Sequence, residues 1–158
     1  MMSEPQLKKI RVVLPEDAWH GVEAEWVWAE KFKEDIYWLR NVPFYARGIS
    51  YDDQVKVEDV NGTLQLAGVV ARGGHSTYRI FAPKGQMNDR VQALIRKLNE
   101  LHSYIEGANR KLLAVDVLPE ADIHKVYSLL AEARSSGIID FVLPPSELNI
   151  WGLGKLYS

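Results

Sequence analysis

The chain has 158 residues, 47% of them hydrophobic and 25% charged, a balance that supports a packed core without a metal or disulfide staple and excludes long disorder away from the ends. A formal charge of -2 and a pI near 6.1 argue against nucleic acid as the default partner, because binding phosphates calls for a cationic excess or a basic face. With no cysteine, thiolate catalysis, disulfides and cysteine-based zinc sites are excluded, and a metal would need oxygen or imidazole ligands.

The N-terminus, MMSEPQLKK, lacks an apolar signal core, and no apolar run is long enough to span a bilayer, so a soluble, cytoplasmic protein is expected. Lys9 to Leu14 then reads as a strand closed by Pro15. "EAEWVWAEKF", residues 23–32, alternates, with Glu25, Val27, Ala29 and Lys31 on one side and Trp26, Trp28, Glu30 and Phe32 on the other. Lys33-Glu34-Asp35 is a polar turn, and "IYWLRNVPF" returns as the hairpin partner. "DQVKVED" alternates again, Asn61-Gly62 is a strong hairpin-turn pair, and Thr63 to Ala71 is the strand that follows.

After a strand over Thr77 to Phe81 and a turn at Pro83-Lys84-Gly85, the period changes. Apolar residues at Val91, Leu94, Ile95, Leu98, Leu101 and Ile105 follow the rhythm of an amphipathic helix capped by Asn88, within which His102 would fall. A short strand near Tyr104 to Gly107 and the run "KLLAVDVL" suggest a hairpin whose second strand is central and buried. Pro119 to Asp122 opens a second helix, Ser135-Ser136-Gly137 ends it, and Ile138 to Leu143 is a last strand before Pro144-Pro145. The expected class is therefore α+β. A small antiparallel β-barrel or twisted sheet occupies residues 1–72, a ferredoxin-like βαββαβ unit residues 73–145, and an apolar tail at 146–158 packs on the body or on a partner.

Residues 15–60 hold eleven acids and five bases, an excess that could attract a basic partner, although solvated strand faces and turns are the preferred account of it. "VARGGHSTYRIF" lacks both the Walker A spacing and the nucleophile elbow. His75 beside Ser76, with Asp52 or Asp53 as a carboxylate neighbour, could supply acid–base chemistry; the structural alternative is a ring bonded to a backbone carbonyl at a tight crossover, and that alternative is preferred. Asp116, an acid in an apolar strand, needs a partner such as an arginine or a capping amide. No two histidines stand four apart, and neither a metal nor a cofactor is expected. Trp26, Trp28, Trp38, Phe44, Tyr45 and Tyr51 cluster in the first half, where most would be core and an exposed set would suit a partner surface or stacked bases.

Taken together, "WVWAEKF", "IYWLRNVPFYARGISYDDQVKVED", "LAGVVARGGHSTYRIF" and "LLAVDVLPEADI" resemble the bacterial domain-of-unknown-function family DUF4265, from about Lys9 to Phe141. The most specific parts are Trp28-Ala29, the Asn41-Val42-Pro43-Phe44 turn with Arg47-Gly48-Ile49 and Asp53-x-Val55, and Gly74-His75-Ser76-Thr77 with Arg79. The chain departs at Gly73, where the family resembles a serine, and in the tail around Trp151. The resemblance implies no established activity, but small proteins of this type are similar to immunity proteins that bind a toxin domain and cover its active site. The function expected on this basis is non-enzymatic: a protein partner, here a basic toxin domain, bound through Trp26, Trp28, Asn41, Phe44, Arg47, Asp52, Asp53, Arg72 and His75. Two alternatives stay open. One is a small hydrolase or nuclease using His75, Ser76, Arg79 and Asp53 with Arg72, and the other is a regulatory module that binds a ligand or RNA.

Overall fold

The structure is a computed structural model whose described residues are 6–14, 21–84, 88–107, 109 and 111–143. Pro15, His20, Gly85 and the tail at 146–158 lie outside them. The fold is α+β and divides into two compact units, the first ending at Gly74 and the second beginning at His75.

The first unit is a closed barrel of five strands in chain order: β1 (Leu7–Val13), β2 (Ala24–Lys33), β3 (Ile36–Leu39), β4 (Gln54–Val60) and β5 (Thr63–Ala71). Consecutive strands pair antiparallel. An odd number of alternating strands leaves the first and last pointing the same way, so the seam between β1 and β5, at Arg11 and Gln65, is parallel rather than antiparallel as the sequence suggested. The β4–β5 ladder shifts register twice, opposite Gln54/Val55 and Lys56/Val57, and such bulges add the twist and bend that closure needs. Asn61 (φ 52°) and Gly62 (φ 85°) form the left-handed turn between these strands.

The barrel interior is filled by Ile10, Val12, Val27, Ala29, Tyr37, Leu39, Val55, Val57 and Leu66. These are the inward positions of each strand, at the spacing of two that the pleat imposes. The tryptophans do not join them, contrary to the expectation that most would be core. Trp26 is 51% exposed and Trp28 44%, because an interior this narrow is filled by aliphatic side chains and Tyr37 and leaves the bulkier indoles of β2 outside. β3 is also shorter than the expected nine-residue return. It stops at Leu39, and residues 40–53 form a loop.

The second unit follows the order β6 (Ser76–Phe81), α1 (Asp89–Glu100), β7 (Ser103–Gly107), β8 (Leu112–Val117), α2 (Ile123–Ser135) and β9 (Phe141–Leu143). Its sheet runs β7-β8-β6-β9, with every pair antiparallel and β8 inside, as the apolar run LLAVDV requires. Both helices contribute to a core built on one face of this sheet: Tyr78, Ile80, Leu113, Val115 and Val117 meet Val91, Leu94, Leu98, Val126, Leu130 and Ala133. Asn88 and Asp122 cap the helices by accepting bonds from the backbone N–H groups of Arg90 and Val91, and of His124 and Lys125.

Two boundaries differ from expectation. α1 ends at Glu100, and His102 sits in the turn with φ 53°, so the apolar rhythm continued by Ile105 belongs to β7. β9 begins at Phe141 because Gly137 (φ 78°) folds the chain back and the N–H groups of Ile138 and Ile139 bond the Ala133 carbonyl.

Candidate functional site

Three groups of residues hold the chemistry that the sequence singled out. The first is the outer surface of the barrel over β1, β2 and β3. Lys9 stands opposite Trp28 and Arg11 opposite Trp26 in the β1–β2 ladder, while Glu30 stands opposite Leu7 on one side and Trp38 on the other. Phe32 (43% exposed) meets Trp38 edge to face at 4.6 Å. Cations lie over these rings: Lys9 Nζ 5.2 Å from Trp28, Lys33 Nζ 5.5 Å from Phe32 and the Arg40 guanidinium 5.1 Å from Trp38.

Trp28 is fixed through its backbone, its N–H donating to the Asn41 side-chain oxygen and its carbonyl accepting from the Arg40 N–H. Asn41 thus stands in for the strand that β3 no longer provides. Arg40 is held in turn by Glu30 at 3.0 Å and by Asp52. Burial opposes its charge, but the two carboxylates outweigh that and raise its pKa above the ordinary arginine value. Arg40 was not among the expected site residues.

The second group fixes the 40–53 loop. Glu25 points inward on β2, and its carboxylate accepts the backbone N–H groups of Phe44 (2.6 Å), Tyr45 (3.0 Å) and Ala46 (2.9 Å). Asp53, with no exposed surface, accepts from the N–H groups of Ser50 and Gly73, each at 2.9 Å, and from Arg72 at 3.3 Å. Burial pushes its carboxyl above the ordinary value, against the pull of those donors. Arg72 also donates to the Gly48 carbonyl. Arg47 has a buried Nε without an acceptor, and burial lowers its pKa.

Gly73 is required by close approach. A Cβ there would lie 2.3 Å from the Asp52 carbonyl oxygen, whereas Gly74 is the residue with positive φ, at 93°. Gly73→Ala should lower unfolding stability by about 1–3 kcal/mol through displacement of the 50–53 turn, measured by urea denaturation.

The third group is His75 and Asp116. His75 Nδ1 lies 2.7 Å from Asp116 Oδ1, joining the residue before β6 to β8. The sequence looked to Asp52 or Asp53 for this carboxylate and to a backbone carbonyl for the structural alternative; Asp116 takes that place, and Asp116 finds a histidine where an arginine or amide was expected. Ser76 begins β6 opposite Val117, and Arg79 is fully buried, donating to the Thr77 carbonyl. A depression of about 520 Å³ beside Tyr127, Ala131, Arg134, Ser135 and Val142 contains none of the expected site residues. Among the described residues, no group of three or more histidines and carboxylates is placed to hold a metal, and no helix is long and apolar enough to cross a membrane.

A closed five-stranded barrel followed by a β-α-β-β-α-β unit, with aromatic side chains outside the barrel, defines an α+β protein of two small units. The family model "Domain of unknown function (DUF4265)" matches residues 25–141, most of the chain, and the protein belongs to that family. A solved structure described as "Novel crystal structure of a hypothetical protein from Neisseria gonorrhoeae" is similar in fold, with a TM-score of 0.75 at 15% identity over 89% of this chain and 95% of that one. Comparison with curated proteins gave no match.

Proposed function

We propose that this chain is a non-enzymatic binding protein of the immunity type, which acts in the cytoplasm by covering a toxin domain. The observation that carries this reading is the row of exposed aromatic rings on the barrel, Trp26, Trp28 and Phe32, at a place where their burial would contribute most on contact with another protein. The rings sit on paired strands, and Trp28 is pinned by Asn41 and Arg40, so little ordering remains to be done on binding. The second unit is proposed to be ferredoxin-like, supported by its element order and by the strand order β7-β8-β6-β9 with both helices packing on the sheet.

Co-expression with any toxin domain found encoded beside the gene tests the reading. A complex on size-exclusion chromatography and restored growth are expected. Replacing Trp26 and Trp28 together by alanine should weaken that complex by about 100-fold or more with little change in melting temperature. Neither complex nor rescue with any neighbouring toxin would remove it.

The His75–Asp116 contact supports a second reading, a small hydrolase. A carboxylate on Nδ1 holds the ring in the tautomer whose Nε2 can act as a general base. Turnover of ester or phosphodiester substrates that survives His75→Ala unchanged would eliminate it.

A further inference from the structure

Several acids of the first half are held away from the aromatic face, and Glu30, which lies on that face, is paired with Arg40. Glu25 and Asp53 are buried on backbone amides, Asp59 accepts the Gly62 N–H, Asp35 lies 4.0 Å from Lys56, and Glu30 and Asp52 are both spent on Arg40. The outward positions around the rings carry Lys9, Arg11, Lys33 and Arg40 together with the acid Glu30. After Arg40 is set against its two carboxylates, Lys9, Arg11 and Lys33 remain as the cations beside Trp28, Trp26 and Phe32.

We infer that the barrel face receives an acidic protein surface, on which carboxylates meet Lys9 and Arg11 while apolar side chains pack on Trp26 and Trp28. This step rests on the protein-binding reading of the same face and reverses the sign of the partner that composition suggested. A basic surface would bring cations against Lys9 and Arg11, a juxtaposition that costs affinity and slows encounter. An acidic one gains both. Charges beside partly desolvated rings at a rim act chiefly on association and on salt dependence.

Single-stranded nucleic acid also uses aromatic rings interleaved with cations. The chain as a whole is negative, which opposes a continuous run of phosphates more than a protein surface carrying a few carboxylates. The exposed aliphatic residues Leu7 and Val13 at the ends of β1 suit packing by side chains rather than by stacked bases. The face therefore favours a protein.

Titration of the full chain with poly-L-glutamate, poly-L-lysine and oligothymidylate, followed by tryptophan fluorescence and calorimetry, tests the sign. Poly-L-glutamate should bind, more weakly as salt rises, and Lys9→Glu with Arg11→Glu should lower that affinity by about tenfold or more. Lys9→Glu alone serves as a second variant that leaves the Arg11–Gln65 bond intact. Binding of poly-L-lysine, tighter binding of oligothymidylate, binding indifferent to both charge reversals, or no binding of any of the three would overturn the inference. The binding reading itself fails separately: a toxin complex that survives charge reversal but not Trp26→Ala with Trp28→Ala would keep that reading and sink the acidic partner.

Discussion

Glu25→Ala should be among the most damaging single substitutions in the barrel, lowering unfolding stability by about 3–5 kcal/mol as read from chemical denaturation. One carboxylate receives three consecutive backbone N–H groups, from Phe44 to Ala46, just after Pro43. Bonds to an ionised acceptor contribute more than neutral ones, and removing the acceptor strips all three donors at once. Glu25→Gln keeps one acceptor oxygen and should fall between wild type and alanine. If Glu25→Ala unfolds with the same midpoint as wild type, the loop at 40–53 is held by something other than this carboxylate. The substitution should also loosen Asn41, and through it the backbone of Trp28, so any complex made through the barrel face would weaken in parallel.

How this anchor escaped the sequence is instructive. The alternation in EAEWVWAEKF placed Glu25 on the same side as Val27 and Ala29, and the structure keeps that division. Period alone gives two faces but does not say which is inside. Tryptophan looks like core material by residue type, whereas this barrel interior is filled by valine, isoleucine, leucine and alanine with one tyrosine, Tyr37. In so narrow an interior, an acid on the aliphatic face points to a buried carboxylate that caps backbone amides. The strand boundaries that were hardest to read are set by single residues: the left-handed His102 that ends the α1 rhythm, and the bulges in β5 that a continuous run of apolar residues conceals.

Partner identities were less legible than elements, because they depend on contacts distant along the chain. His75 and Asp116 are 41 residues apart, and only the pairing of β6 with β8 brings them together. The same holds for Asp53, which residue chemistry offers as a carboxylate partner for His75. Its bonds instead run to Ser50, Arg72 and Gly73, where the end of β5 passes the turn before β4. What sequence did reveal is that these residues cluster in family-like segments. In the structure, Asn41 and Asp53 from those segments hold the 40–53 loop and the backbone beside it.

Asp53 itself gives a result with a definite sign. Its carboxyl has a raised pKa in the folded protein because burial disfavours the charge more than Gly73, Ser50 and Arg72 favour it. The native state therefore holds this proton at pH values where the unfolded chain has released it. The stability that protonation provides is fully present below the ordinary aspartate pKa, and it is lost as pH rises through the folded value. Asp53→Asn removes that titration. The variant should be less stable than wild type throughout, because an amide offers one acceptor oxygen where Ser50 and Gly73 use two. The gap between them should narrow as pH rises from the acid side of the aspartate range toward neutrality. Asp53→Ala, which removes the carboxylate that both amides and Arg72 share while Arg72 keeps the Gly48 carbonyl, should cost about 3–5 kcal/mol. Urea denaturation of wild type and both variants across that pH range decides the matter. A gap that widens with rising pH would mean that the charged carboxylate, with its three donors, is the stabilising form, and that the donors around Asp53 outweigh its burial.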